Sequence, residues 1–125
     1  MGLDQNAYYC KPQSIGTAVV DFGQPEDAKD FFYWRKHPNL QGWMRRLYEA
    51  KGGKEEFNCV PVLLTEADLS ELELDILRGA LPHTNGFFFG SSRNDEDEQE
   101  RDLQFIRQAR ELIVNGSAVF YSSWW

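Results

Sequence analysis

The chain has 125 residues, the size of one domain, and its nine Phe, five Tyr and four Trp supply enough large apolar surface for a core without staples. Its formal charge of −7 excludes non-specific nucleic-acid binding by the surface as a whole, which needs positive potential. Two cysteines are too few for a disulfide framework, no apolar run approaches the ~18 residues that span a bilayer, and no apolar stretch of the secretory type follows Met1. A reducing, cytoplasmic setting is therefore expected, with Cys10 and Cys59 as free, at least partly buried thiols.

Leu3 to Cys10 reads as a first strand, with Leu3, Gln5, Ala7 and Tyr9 on one face, and Pro12 ends it. Thr17 to Phe22 is a short β-branched run, either a second strand or a loop edge. Pro25-Glu26-Asp27 has the acidic first turn of a helix start. Whether Phe31–Lys36 continues that helix or becomes extended stays open. Pro38 turns His37 away from helical angles and fits the first turn of the next helix. Leu40, Trp43, Met44 and Leu47 are its buried stripe, and Gly52-Gly53 ends it. Phe57 to Leu64 reads as a strand interrupted by Pro61. Thr65-Glu66-Ala67-Asp68 resembles a capping box, opening a helix with Leu69, Leu72 and Ile76 inward.

Gly86-Phe87-Phe88-Phe89-Gly90 reads as a central strand, because three consecutive Phe leave water only when both sheet faces are covered. The longest helix follows over about 95–114, with Leu103, Ile106, Ala109 and Ile113 inward. Ala118 to Trp125 is the last strand, and its tandem Trp124-Trp125 is expected to pack on the protein's own core. The sum is an α+β fold: a single domain over 1–125 with a sheet of about four strands covered by three helices.

Charge is unevenly placed. Residues 29–54 hold seven Lys/Arg against Asp30 and Glu49, a net of +5, which leaves −12 for the rest. Inside this island, Tyr33-Trp34-Arg35-Lys36-His37 packs two aromatics, two permanent cations and one of the two histidines into five positions. Arg35 is a planar fork for carboxylate or phosphate. Trp34 or Trp43 is a stacking platform, and His37 a switchable donor. The bland alternative puts Tyr33 and Trp34 in the core and leaves Arg35 and Lys36 solvated or paired with the acidic helices.

The run Asp95-Glu96-Asp97-Glu98 has two readings. Carboxylates in a helix's first turn complement its positive end. As an exposed face they imitate a phosphate backbone and block a nucleic-acid-binding protein. Cys10, His37, Cys59 and His83 are spaced too widely for a structural zinc site, so no metal and no cofactor are expected. No P-loop, dinucleotide fingerprint, nucleophile elbow or HExxH helix is present.

Met1-Gly2-Leu3-Asp4, the segment from Tyr33 to Met44 (YWRKHPNLQGWM), Gly86–Gly90 and Phe120-Tyr121-Ser122-Ser123-Trp124 together resemble a family of short phage and bacterial proteins whose function is not established. The resemblance spans nearly the whole chain, and the family's recurring Trp-Arg-Lys matches Trp34, Arg35 and Lys36. A phosphoglycerate kinase label carried by some members is rejected, because the chain is far too short for that two-domain enzyme and lacks a nucleotide motif. Gln5-Asn6 departs from the more apolar continuation of the family's opening.

The resulting expectation is a cytoplasmic accessory protein of phage or mobile-element type that acts by binding rather than catalysis. Trp34, Arg35, Lys36, His37 and Trp43 would take a small anionic, nucleotide-like ligand or an acidic protein partner, with Asp4 and His83 nearby. The alternatives are inhibition of a nucleic-acid-binding host protein through Asp95, Glu96, Asp97 and Glu98, and a small enzyme using His37 or His83 as acid or base with Asp4 as orienter. Neither direct nucleic-acid binding nor membrane association is expected, and oligomeric state is open.

Overall fold

Successive side chains of an extended strand point to opposite sides, and pairing in register turns that alternation into two sheet faces. The computed structural model describes residues 2–85, 92–93 and 95–125. Strands β1 (Asp4–Cys10), β2 (Lys29–Trp34), β3 (Val62–Leu64) and β4 (Ala118–Trp124) form an antiparallel sheet in the order β2-β1-β4-β3. With helices α1 (Pro38–Ala50), α2 (Glu66–Leu77) and α3 (Glu96–Val114), this is the α+β fold expected from sequence.

Register places Trp34 beside Gln5 beside Ser123, and Phe32 beside Ala7 beside Tyr121 beside Val62. All of these residues are buried, and their apolar members share one core with Leu40 and Met44 of α1, Leu69, Leu72 and Ile76 of α2, and Phe105, Ile106 and Ala109 of α3. Phe105 is the centre of an aromatic knot, with ring centroids 4.8 Å from Trp34, 5.7 Å from Phe32 and 5.9 Å from Phe31. On the opposite face, Phe120 stacks on Tyr8 at 5.1 Å and meets Phe22 edge-on at 5.2 Å. The loop from Lys11 to Ala28 thus shelters one end of that face.

Several expectations need correction. No helix grows from Pro25: the chain makes one turn, Ala28 N–H donating to Pro25 O, and enters β2. Phe32 and Trp34 alternate inward there, a period of two that an extended chain satisfies and a helix does not. The Thr17–Phe22 run is a loop edge whose backbone pairs with the sheet at an isolated bridge between Val20 and Val62. The expected strand at 57–64 shrinks to Val62–Leu64, because Cys59 takes a positive φ of 61° and Pro61 has no N–H to donate. Cys59 is exposed, not buried. Of the terminal pair, Trp125 is tied to the body through its indole N–H on Phe57 O, whereas Trp124 is 65% exposed. The run Gly86–Gly90, expected as a central strand, lies outside the described residues; among those described, β1 and β4 occupy the centre.

Helix ends follow the sequence closely. Thr65 and Asp68 form a reciprocal capping box on α2, with Asp in place of the usual Glu. Asp95 caps α3 by accepting the Glu98 N–H. Gly42, inside α1, has a local reason: a Cβ there would stand 1.9 Å from Thr84 Oγ1, so only glycine lets the 81–85 loop lie against the helix. Helices α2 and α3 are tied on their outer side by Arg110, which reaches Glu66 at 2.9 Å and grips Glu73 with two nitrogens at 2.9 and 3.1 Å.

Two stability predictions follow from this packing. Phe105→Ala removes the ring common to three aromatic contacts and is expected to cost about 3–5 kcal/mol, read from urea unfolding. Arg110, by hydrogen bonding and charge, holds the Glu73 carboxyl below its ordinary range. A folded-state pKa below the unfolded one gives stability that is present above the ordinary carboxylate range and lost as pH falls through the folded value. Arg110→Ala is therefore expected to be slightly less stable at neutral pH, with the gap to wild type closing as pH drops below about 4. A gap that stays constant as pH falls well below that value contradicts the assignment.

Candidate functional site

One buried amide organises the region where β2 hands over to α1. Gln5, on the helix-facing side of β1, accepts the His37 backbone N–H at 2.6 Å and donates to the His37 carbonyl at 3.0 Å. The same amide donates to the Tyr121 hydroxyl at 2.9 Å, and that hydroxyl donates to Gln41 on α1 at 2.5 Å. Burial pushes the Tyr121 phenol well above its ordinary range, so it stays a neutral donor. A strand, a helix N-terminus and a second strand are thus joined through a dry polar network. Pro38 at the first helical position leaves His37 outside the helix, at φ −133° and ψ 78°, with its side chain turned inward.

The His37 imidazole is 1% exposed, and both ring nitrogens are engaged. Nε2 lies 2.8 Å from Asp102 Oδ2 and 3.6 Å from Glu98 Oε1, one turn apart on α3. Nδ1 lies 2.9 Å from Ser92 Oγ. The other Asp102 oxygen accepts the Trp34 indole N–H at 3.1 Å. Ser92 Oγ also accepts the backbone N–H of Asn39, at 2.9 Å, in the first turn of α1. A carboxylate only accepts, so in the neutral ring the proton sits on Nε2, and Nδ1 is free to accept the Ser92 hydroxyl proton.

Two hollows flank this core. One, of about 270 Å³, is lined by Tyr33, Arg35, Lys36, Arg93 and Arg101, with Trp34, His37 and Glu98 behind them. Its cations come from the end of β2, from the segment before α3 and from α3 itself. Arg101 donates to the Tyr33 carbonyl at 2.6 Å and covers the Phe32 ring at 4.8 Å. Arg35 pairs with Asp4 at 3.5 Å, and Arg93 with Asp95 at 2.8 Å. Tyr33 donates to Asp4, a bond that raises its phenol pKa. The other hollow, of about 410 Å³, is lined by Asn39, Leu81, His83, Glu96, Gln99 and Asp102 among others.

The structure divides the residues singled out from sequence. Arg35 and Lys36 line the smaller hollow together. Trp34 and His37 are buried behind it, part of the packing and the polar network rather than an open platform. Trp43 does not join them: its indole N–H points to Asp75 on α2 at 2.8 Å, because its place in the α1 stripe faces the other helix. Asp4 does not orient His37; Asp102 holds that position, while Asp4 serves Tyr33 and Arg35. The two histidines line different hollows. Of the acidic run, Asp95 caps α3, Glu98 accepts the Arg93 N–H at 2.9 Å, Glu96 borders the larger hollow, and Asp97 is 87% exposed.

Sequence reasoning missed Gln5 as an organiser, and Ser92, Arg93, Arg101 and Asp102. A signal for Asp102 was present: it stands at helical spacing with Phe105, Ile106 and Ala109, a charge inside an apolar stripe. Among the described residues no three His, Cys, Asp or Glu come together to hold a metal ion, and no helix is long and apolar enough to cross a membrane. Compared with models of protein families, with curated proteins and with solved structures, the chain matches none.

Asp102→Ala leaves the His37 and Trp34 donors buried without their acceptor. It is expected to destabilise the fold by about 3–5 kcal/mol in urea unfolding. A loss below ~1 kcal/mol, the scale of an exposed ion pair, shows that the carboxylate is not buried in solution.

Proposed function

We propose that the protein, an accessory protein of phage or mobile-element type, acts by binding a small anion in the hollow bordered by Arg35, Lys36, Arg93 and Arg101. The observation that carries this reading is the convergence of four cations from three chain segments on one concavity, in a chain whose net charge is −7. A localised positive site in an acidic protein concentrates anions there and repels them elsewhere. The hollow's volume of about 270 Å³ lies just below the usual range for ligand pockets, which suits a phosphate or carboxylate group better than a whole nucleotide. Guanidinium forks are matched to such groups, and Tyr33, 45% exposed, offers a flat edge beside them. Glu98 at the back of the hollow disfavours an anion that penetrates deeply, so the charged group would sit at the rim. The site differs from the one expected from sequence in using Arg93 and Arg101 in place of Trp34, His37 and Trp43.

The alternative, inhibition of a nucleic-acid-binding protein by the acidic run, draws less support. Asp95 and Glu98 are engaged in capping and in contacts with Arg93, and Asp97 also reaches Arg93 at 3.6 Å, so much of the run is answered within the chain.

Thermal unfolding with inorganic phosphate, adenosine monophosphate and citrate tests the binding reading. An anion at ~100 times its Kd adds about 2.7 kcal/mol, a rise of several degrees in a domain this size. Lys36→Glu and Arg93→Glu are expected to abolish the rise, whereas Arg46→Glu, exposed on α1, is expected to keep it. No rise with any of the three anions, or a rise unaltered in Lys36→Glu, overturns the reading.

A further inference from the structure

We propose that Ser92 is a nucleophile activated by His37 and Asp102, and that the protein hydrolyses small carboxylic esters. This goes beyond anion binding and does not depend on it. The observation is a continuous chain of three side chains from distant parts of the sequence. Ser92 Oγ lies 2.9 Å from His37 Nδ1, and His37 Nε2 lies 2.8 Å from Asp102 Oδ2. A serine hydroxyl is a weak nucleophile until a base within hydrogen-bond reach takes its proton and a third group orients the base. The nitrogen roles are the mirror of the familiar serine-protease arrangement, in which the carboxylate faces Nδ1. The chemistry needs only that one ring nitrogen hold its proton toward the carboxylate while the other accepts from the hydroxyl.

Three further features match this role. Asp102 is itself fixed by the Trp34 indole N–H, so the base cannot swing away from Ser92. Glu98 at 3.6 Å from Nε2 adds a second negative charge beside the imidazolium that forms when the serine proton arrives. The Asn39 N–H, in the first turn of α1, donates to Oγ at 2.9 Å and so holds the hydroxyl in place beside Nδ1. The imidazole is 1% exposed, whereas Ser92 is only partly buried.

Written in steps, Oγ bonds to the ester carbonyl carbon as its proton passes to Nδ1. The tetrahedral adduct collapses, the carbon–oxygen bond to the alcohol breaks, and that oxygen takes the proton from Nδ1. Water then attacks the acyl-serine, giving a proton to Nδ1. The bond between Oγ and the acyl carbon breaks, Oγ recovers its proton, and a carboxylic acid leaves. Ser92 and His37 are the catalytic residues, and Asp102 is a positioning residue.

The test is incubation of the full-length protein with a fluorophosphonate probe, followed by intact-mass analysis and peptide mapping, alongside release of p-nitrophenol from p-nitrophenyl acetate. One adduct per chain is expected, mapped to Ser92. Ser92→Ala is expected to lose both the adduct and the ester hydrolysis. Asp102→Asn, close in shape, is expected to slow labelling at least tenfold and to alter its pH profile, since an amide does not stabilise the imidazolium; a purely structural carboxylate would leave the profile unchanged. If Ser92→Ala fails to fold, mapping of the wild-type adduct decides alone. Absence of a Ser92 adduct on folded wild-type protein overturns the proposal. So does labelling of Ser92 no faster than of Ser117, or an unchanged rate and pH profile in folded Asp102→Asn.

Discussion

The helix-facing side of the sheet depends on how a buried negative charge is accommodated. Asp102 stands in the inward stripe of α3 at 2% exposure, where an unanswered carboxylate would be expelled or protonated. It is answered by the His37 imidazole on one oxygen and the Trp34 indole on the other, both carried by the segment that joins β2 to α1. A charge on one helix thereby fixes the angle at which an edge strand ends and another helix begins. Gln5 completes the constraint by holding both backbone groups of His37, so the turn is defined from the sheet as well as from α3.

That constraint accounts for the position of the surface groups. Trp34 and His37 turn inward to meet Asp102, and the residues between them, Arg35 and Lys36, are displayed outward. Arg101 lies one residue before Asp102 on α3 and so emerges on the side of β2, where it meets the Tyr33 carbonyl and the Phe32 ring. Arg93 arrives because Glu98, at the third position of the helix, holds its backbone N–H. The basic rim and the buried acidic floor are two sides of one packing arrangement. The Ser92 hydroxyl sits at the junction of that arrangement with the N-terminus of α1.

Legibility from the sequence varied with the range of the interaction involved. The three helices that form were readable to within a residue or two, because apolar spacing, Pro38, the Thr65–Asp68 box and the acidic first turn of α3 act within a turn or two of backbone. Strand β1 and strand β4 were readable for a similar reason, since Pro12 ends the first and Gly116 sets off the second within a few residues of chain. Strand β2 was ambiguous: Pro25-Glu26-Asp27 has the look of a helix start, and only pairing with β1 gives Phe32 and Trp34 a common face with Ala7 and Gln5. The basic-aromatic cluster was conspicuous by composition alone, yet half of it proved to be interior. Exposure of a tryptophan or histidine is not a local property.

The sequence by itself determined the class of fold, the helix boundaries, the acidic balance and the concentration of cations around residues 29–54, since each follows from composition or from contacts along a short stretch of chain. Only the tertiary structure decided which of those cations share a hollow, that Trp43 belongs to the contact with α2, and that Asp102 rather than Asp4 faces His37. The physical reason is sequence separation. The contacts that define the site join residues 32 to 116 positions apart. A partner at that distance is selected by the shape and polarity of the whole core, and local periodicity marks at most that a residue such as Asp102 lies inward, not which group it meets.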